Sequence, residues 1–470
     1  MENKTAQKNK TLLAGTIIYA IGNFGTKFLS FIIVPLYTYY ILPEDLGTYD
    51  VLCTTINLLT PLITMQISDA AFRWMVTNDD NIVPCVSATY KLLAVNCTIT
   101  AGIILLINCF IPITYCYYFI AILILGRILG SMQKLLRGLK TQKLYATSGL
   151  VYTSVFLVLN LVFICGLHQG VEALLWSSVI ANVVAIGLIL LCEKSLRKVD
   201  VKSSHRKLQK EMLKYSMPLV PSTLNWWVMG ASDRYVILFF LGSAANGIYA
   251  VANKFPSILS TVFLMFNNSW TDMSLADSDS KEDYSAYYSS VFKQLYMLSF
   301  TSVILLIPAT KVVATLILST AYKEASVYIA FLYLGAVFQA FSSFYGVGYL
   351  KDKSTSGAAS TSIYGAIVNL AVNILCIKFI GIHAASISTF LGFFAMWAIR
   401  RQQMKKSLLI DIQWNLFIFL FAVSVLLSVV SIWTNVAIDL CLTVLGVVFF
   451  IWANRGLLKK VCKKILHKHK

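Results

Sequence analysis

Acidic residues are scarce in this chain: 21 Asp and Glu stand against 39 Lys and Arg, with only 5 His, leaving a net charge of +18 over 470 residues. Long polar stretches are scarcer still, and the longest, the basic run over 194–214, holds no carboxylate pair or His cluster of the kind acid–base or metal chemistry uses. A membrane-bound transferase or polymerase would need a sizeable catalytic loop or domain, so an enzyme is not expected. The ten cysteines show no C-x-x-C spacing and lie mostly inside apolar runs. They read as packing residues, not as metal ligands or disulfides. Lys4, Lys8 and Lys10 precede a long apolar segment that lacks a small-residue cleavage site, so a removable secretory signal is not expected either.

What the chain has in excess is apolar side chain. At 58% hydrophobic residues and a mean hydropathy of +0.72 it does not describe soluble domains. A spanning helix needs about 20 mainly apolar residues. Fourteen such segments fall between residues 12 and 454, from 12–37 and 46–68 through 217–241 and 246–270 to 412–433 and 436–454. Lys and Arg should collect in every second loop. With both termini in the cytoplasm most of them do, while Lys311, Lys323 and Lys378 lie near the opposite ends. The expected fold is an all-α polytopic membrane protein, and the positive charge is a topology signal, not a nucleic-acid footprint.

The stretch 212–257 reads as two apolar helices joined by a tight Gly/Ser/Ala/Asn turn centred near Ala244, with Asp233, Arg234 and Lys254 inside the apolar runs. An ionisable side chain at mid-membrane costs at least about 2.5–3.5 kcal/mol, so such residues face a polar interior. Asp233 and Lys254 lie at similar distances from the turn, and adjacent residues point about 100° apart on a helix. The expected pair is therefore Asp233 with Lys254, with Arg234 turned elsewhere. Pro218 and Pro221 are expected to interrupt the same helix.

Elsewhere, Asn23, Lys27 and Ser30 share one face of the first segment. That face either lines a cavity or lets Lys27 pair with a neighbouring helix. Asp50 opens the second segment as a cation-coupling candidate or a solvated helix-start acid, with Asn57 deeper. Asp69 and Arg73 are spaced for a local i, i+4 ion pair. Lys91 lies close enough to an end to snorkel, whereas Arg127 sits mid-segment and points into protein or a water-filled cavity. Gly-, Ala- and Ser-rich segments over 325–399 permit close helix packing. The last two spans carry acids only at their ends, Asp411 and Asp439, and read as peripheral. The acidic loop around 272–283 reads as solvated, and the basic linker and tail as lying along the inner surface.

LGTYDV at 46–51 and NGIYAV at 246–251 share G-x-Y-x-V at an offset of 200 residues, each following an outer turn. Six helices per copy imply two parallel-related bundles. The organisation expected is a six-helix bundle over 1–193, a linker over 194–216, a second bundle over 217–400, accessory helices over 401–454 and a basic cytoplasmic tail over 455–470.

The order of LSFIIVPLYTYYILPEDLGTYDV, SDAAFRW, LLRGLKTQ, LKYSMPLVPSTLNWWVMGASDRYVI, GIYAVANKFPSIL and KFIGIHAASISTFLGFFAMWAIRR resembles bacterial polysaccharide-biosynthesis flippases, the O-antigen or exopolysaccharide repeat-unit flippases of the multidrug/oligosaccharidyl-lipid/polysaccharide exporter superfamily. The resemblance implies two six-helix bundles in a V around a central cavity, followed by two accessory helices. It implies movement of an undecaprenyl-diphosphate-linked oligosaccharide between leaflets of the bacterial cytoplasmic membrane by alternating access, driven by a proton or sodium gradient or by membrane potential, with no cofactor. Partners implied are that lipid-linked oligosaccharide, membrane lipids and the polysaccharide polymerase and chain-length machinery, around a monomer. On that footing Lys27, Arg127 and Lys254, with Arg234, are candidates for the diphosphate. Asp233 and Asp50 are candidates for cation coupling or ion pairing. Trp226, Trp227, Asn23 and Asn57 are candidates for sugar contact, the tryptophans equally for packing. A cation-coupled multidrug exporter of the same superfamily, or a peptidoglycan-precursor flippase, is the alternative; the former would favour acids where this chain places bases.

Overall fold

A computed structural model describes residues 25–26, 29–77, 82–200, 206–276, 281–352, 355–405, 407–456 and 459. Among them every regular element is helical, and the chain forms two compact units, 1–227 and 228–470. Among the described residues ten helices are long and apolar enough to cross a membrane, and two shorter apolar helices, Leu29–Tyr40 and Trp414–Val430, accompany them.

In the first unit α1 is Leu29–Tyr40, followed by α2 (Pro43–Thr64), α3 (Ile67–Thr77), α4 (Ile82–Phe110), α5 (Cys116–Gly138), α6 (Gln142–Asn160, prolonged by a wider π turn to Gly166), α7 (Val171–Cys192) and α8 (Arg206–Ser216). The division falls inside α9 (Leu219–Ala231). Pro43 starts α2 at the position where its missing N–H is not needed, with Glu44 and Asp45 against the positive end of the helix dipole. The helix stops at Met65 and Gln66, both with left-handed backbone (φ 46° and 53°), and resumes as α3. Side chains accept the cost of that break. Ile63 O takes Asn96 Nδ2 at 2.7 Å, Met65 O takes Ser216 Oγ at 2.7 Å, and Gln66 Nε2 reaches Thr223 Oγ1 at 3.0 Å. Asp69 pairs with Lys134 of α5 at 2.6 Å in place of the expected Arg73, whose guanidinium lies over the Tyr215 ring. An i, i+4 spacing permits a pair but cannot exclude a partner on another helix. The inner core joins α3, α4, α5, α7 and α8 through Ile67, Met75, Cys85, Leu135, Ile189 and Met212.

Pro218 and Pro221 interrupt nothing inside a span. Pro218 lies in the turn before α9 and Pro221 in its first turn, where a missing donor costs little. The interruption falls instead at Ser232, between α9 and the helix that follows.

The second unit comprises α10 (Asp233–Ala276), α11 (Lys281–Ile317), α12 (Ala325–Lys351), α13 (Thr355–Ile380), α14 (His383–Gln403), α15 (Trp414–Val430) and α16 (Val436–Ala453). Non-helical backbone at Gly242 (φ 85°, ψ 177°) divides α10, two residues before the expected turn centre, because only glycine takes that conformation without strain. Four residues, 277–280, separate α10 from α11, so most of the expected acidic loop is helical; Asp277 and Asp279 lie outside the described residues. The core is aromatic, with Phe292, Phe300, Phe338, Phe341, Trp397 and Phe417 in mutual edge or stacked contact across α11, α12, α14 and α15. The apolar window of α12 is 78% buried against 11% for α16, which makes α12 the central helix of this unit.

The Gly-, Ala- and Ser-rich segments do pack closely. A Cβ on Gly392 would lie 2.9 Å from Gly365 O and 2.9 Å from Asn369 Cβ. Gly392→Val should therefore force α13 and α14 apart and destabilise the protein by about 1–3 kcal/mol or more. A melting temperature equal to wild type would show that the crossing has slack.

Candidate functional site

The first unit holds a partly open cavity of about 500 Å³ whose lining includes Asn57 of α2, Arg127 and Gln133 of α5, Tyr152 and Thr153 of α6 and Asn182 of α7. Gly126 and Gly130, on the same stretch of α5, keep the wall low where Arg127 emerges. Among the described residues Arg127 is the one charged residue in the lining, and no carboxylate joins it. Its Nη1 donates to Thr60 Oγ1, while its buried Nε has no hydrogen-bond partner there. A guanidinium carries five donors in a fixed fork, so this cation retains capacity for an anion. Arg127, expected to point into protein or a water-filled cavity, lines this cavity, and Asn57 lines the same space.

In the second unit Asp233 opens α10 immediately after the break and is 2% exposed. One carboxylate oxygen accepts from Arg234 Nη1 at 3.0 Å; the other accepts from Tyr249 Oη and, at 3.4 Å, from Thr389 Oγ1 of α14. The expected Asp233–Lys254 pair is thus replaced by Asp233–Arg234. The 100° rule presumes a continuous helix, and here the break at Ser232 releases carbonyls that Arg234 turns back to meet: the same Nη1 donates to Gly230 O at 3.1 Å. Asn369 of α13 extends the cluster through Thr389 at 3.5 Å. The Oδ1 of Asn369 and both amide atoms of Asn373, one turn further along α13, are buried with no hydrogen-bond partner among the described residues.

Lys254 is partly buried on α10, and among the described residues its ammonium meets no acid. Lys27 and Asn23 lie outside the described residues. Asp50 is half-buried on α2. Trp227 donates its indole N–H to Thr54 O at 3.1 Å, which commits its polar edge to packing within the first unit. Both tyrosines of the G-x-Y-x-V repeat turn inward: Tyr49 to Ser178 Oγ at 3.3 Å, Tyr249 to Asp233.

Two charged groups escaped the sequence reading. Arg400, 4% exposed, sends Nε to Thr361 Oγ1 (3.0 Å), Nη1 to Ser342 O (2.8 Å) and Nη2 to Ser362 Oγ (3.1 Å), tying α12, α13 and α14 together. It sits at the basic end of an apolar run, where sequence alone reads a topology charge. Asp439, expected on a peripheral, lipid-facing helix, is fully buried and lies 3.4 Å from Lys311 Nζ of α11. Among the described residues no group of three or more His, Cys, Asp or Glu side chains is placed to hold a metal ion.

The family model described as polysaccharide biosynthesis protein matches residues 12–271, more than half of the chain. The chain belongs to this polysaccharide biosynthesis protein family. The match covers the Arg127 cavity and both Asp233 and Lys254, and ends within α10. A relative, an uncharacterized membrane protein of Methanocaldococcus jannaschii, is 25% identical over 75% of this chain and 70% of its own length. Among solved structures, the lipid II flippase MurJ in an inward closed conformation aligns with a TM-score of 0.69 at 12% identity, over 94% of this chain and all of that one. An inward-facing multidrug resistance MATE family transporter of the MOP superfamily aligns at 0.67 and 14% identity, over 83% and 98%. At such identities the likeness establishes a flippase-like transporter fold for this multi-pass membrane protein.

Proposed function

We propose that this protein is a flippase, not an enzyme, that carries a polyprenyl-diphosphate-linked oligosaccharide, on an undecaprenyl carrier, from the inner to the outer leaflet of a bacterial cytoplasmic membrane. The observation that carries the reading is Arg127: a cation with unused donors in a cavity that, among the described residues, holds no acid. A diphosphate cannot cross hydrocarbon unaided, and guanidinium or ammonium groups in a shielded cavity offset its desolvation. Lys254, without an acid partner among the described residues, and Arg234 extend the cationic set in the second unit, and Lys27 is proposed to join it. Uncharged hydroxyls and amides such as Asn57 suit sugars; the bond from Trp227 to Thr54 O occupies the indole edge and not the ring face that would stack on a sugar.

The arrangement we favour has fourteen spans, in two six-helix bundles and an accessory pair, with both termini cytoplasmic. In its support, every expected span from residue 46 onward overlaps a helix. Coupling to a monovalent cation would use Asp233, where the carboxylate, Thr389 and the acceptor-rich Asn369 and Asn373 supply oxygen ligands.

The test is genetic and chemical. In a strain lacking the gene, the wild-type copy should restore surface polysaccharide, and its absence should leave lipid-linked oligosaccharide on the inner leaflet. Sensitivity to cationic drugs with polysaccharide intact would replace this reading by the multidrug exporter.

A further inference from the structure

Two amides that line the Arg127 cavity have their donors fixed by the protein. Asn182 Nδ2 donates to Ser178 O, a carbonyl that can only accept, at 2.7 Å. Gln133 Nε2 donates to Ser148 Oγ at 3.2 Å, and that hydroxyl gives its own hydrogen to Tyr145 O at 2.8 Å, so it too accepts. The oxygens, Asn182 Oδ1 and Gln133 Oε1, are left without a hydrogen-bond partner among the described residues, although Asn182 is only 3% exposed. Asn57, exposed inside the span of α2, leaves its whole amide unused among the described residues.

The wall beside these oxygens is kept low. Gly130 lines the cavity three residues before Gln133, and a Cβ there would meet nothing within 4 Å. Gly138, further along the same helix, is different, because its Cβ would lie 3.2 Å from Met75. Helix packing therefore does not call for glycine at 130, and a glycine inside a helix costs stability. What its missing side chain preserves is space in the cavity.

We infer that this cavity is a subsite for a neutral sugar beside the diphosphate, and that Asn182, Gln133 and Gly130 determine the preference. The inference rests on the flippase reading for the phosphate at Arg127. With that cation engaged, a sugar in the same space meets acceptors. Hydroxyl or acetamido N–H groups can donate to them, whereas a sugar carboxylate would bring charge against oxygens that offer it no donor. At about 500 Å³ the space lies within the range of about 300–1,000 Å³ that small-molecule sites occupy. A bulkier side chain at 130 would take up the room the sugar needs.

The experiment uses the full chain in lipid nanodiscs, its unfolding temperature followed at constant ionic strength against four probes: inorganic phosphate, N-acetylglucosamine 1-phosphate, glucuronic acid 1-phosphate and free N-acetylglucosamine. In wild type N-acetylglucosamine 1-phosphate should half-saturate at a concentration about 10-fold or more below that of inorganic phosphate, the gain two further hydrogen bonds supply. Glucuronic acid 1-phosphate should show no such gain. Gly130→Leu and Asn182→Leu should each bring the sugar phosphate down to the level of inorganic phosphate. Arg127→Gln separates binding at the site from the general stabilisation that phosphate salts give. Equal half-saturation by phosphate and N-acetylglucosamine 1-phosphate in wild type, or a preference that survives in both leucine variants, overturns the sugar subsite while leaving the anion site standing. A gain shown equally by glucuronic acid 1-phosphate overturns the choice of a neutral sugar. If phosphate is inert but free N-acetylglucosamine stabilises wild type and not Gly130→Leu, the flippase reading fails and the sugar subsite holds. No response to any of the four probes sinks both.

Discussion

Replacing Arg127 by Gln is expected to reduce movement of lipid-linked oligosaccharide about 10- to 100-fold while leaving the protein in the membrane at its normal level and at least as heat-stable as wild type. The two halves of that expectation have one cause. Among the described residues Arg127 has one hydrogen bond, to Thr60, a buried Nε without a partner, and no acid in its cavity. A desolvated cation so poorly compensated does little for the fold, and replacing buried charge by a neutral side chain of similar size is often neutral or stabilising. What the charge contributes would come when an anion arrives. A charge-assisted hydrogen bond contributes about 1.5–3 kcal/mol, and each 1.4 kcal/mol is a factor of ten. Arg127→Lys should recover only part of the loss, because an ammonium cannot present the planar fork that grips a phosphate through two nitrogens. The check is surface polysaccharide and inner-leaflet substrate in the deletion strain, alongside melting of the purified variants. If Arg127→Gln melts lower and its activity falls only in step with its abundance, the residue is structural.

Lys311→Met should have the opposite profile, a loss of stability large enough to cut the amount of folded protein. Lys311 Nζ donates to Ser431 O (2.5 Å), Thr434 O (2.6 Å) and Thr434 Oγ1 (2.9 Å), and it lies 3.4 Å from Asp439 Oδ2 as an ion pair without hydrogen-bond geometry. Thr434 Oγ1 in turn donates to the other oxygen of Asp439 at 2.7 Å. One ammonium therefore closes the turn between α15 and α16 and neutralises the acid in the first turn of α16. Further along, Gly446 lets α16 approach Leu305 of α11 so closely that a Cβ would meet its Cα at 3.0 Å, and Asn454 Nδ2 donates to Thr301 Oγ1 at 2.9 Å. The last helix is thus exposed over most of its surface yet fastened along one stripe. Removing only the lysine leaves a buried carboxylate uncompensated, at a cost of about 3–5 kcal/mol. Adding Asp439→Asn removes the stranded charge and should recover much of it, so the double variant should melt above Lys311→Met. Additive losses in the two single variants and the double would show that the pair is not coupled.

The residues whose roles were legible from the chain are those whose signal is local. Arg127 lies too deep in an apolar run to reach water along its own helix, so its direction follows from position alone. Asp233 and Arg234 were legible as costly charges at one depth, but not as partners of each other: that depended on a break at Ser232 that no proline or glycine marks. Lys311, Asp439 and Arg400 stand near the ends of apolar runs, where a charge has two readings, solvated or buried. Only the neighbouring helices decide between them.

What the sequence determined by itself was the membrane fold class and the order of its apolar segments, because transfer of about 20 apolar residues into hydrocarbon is a sum over consecutive side chains and needs no knowledge of neighbours. It also carried the family, because the match over 12–271 is read along the chain. Which charges meet was decided only by the tertiary structure. An ion pair depends on distances of about 3–4 Å that the linear order of residues does not fix, as between Lys311 and Asp439, and backbone breaks at Met65, Gln66 and Ser232 rotate side chains away from the directions that an unbroken helix would assign.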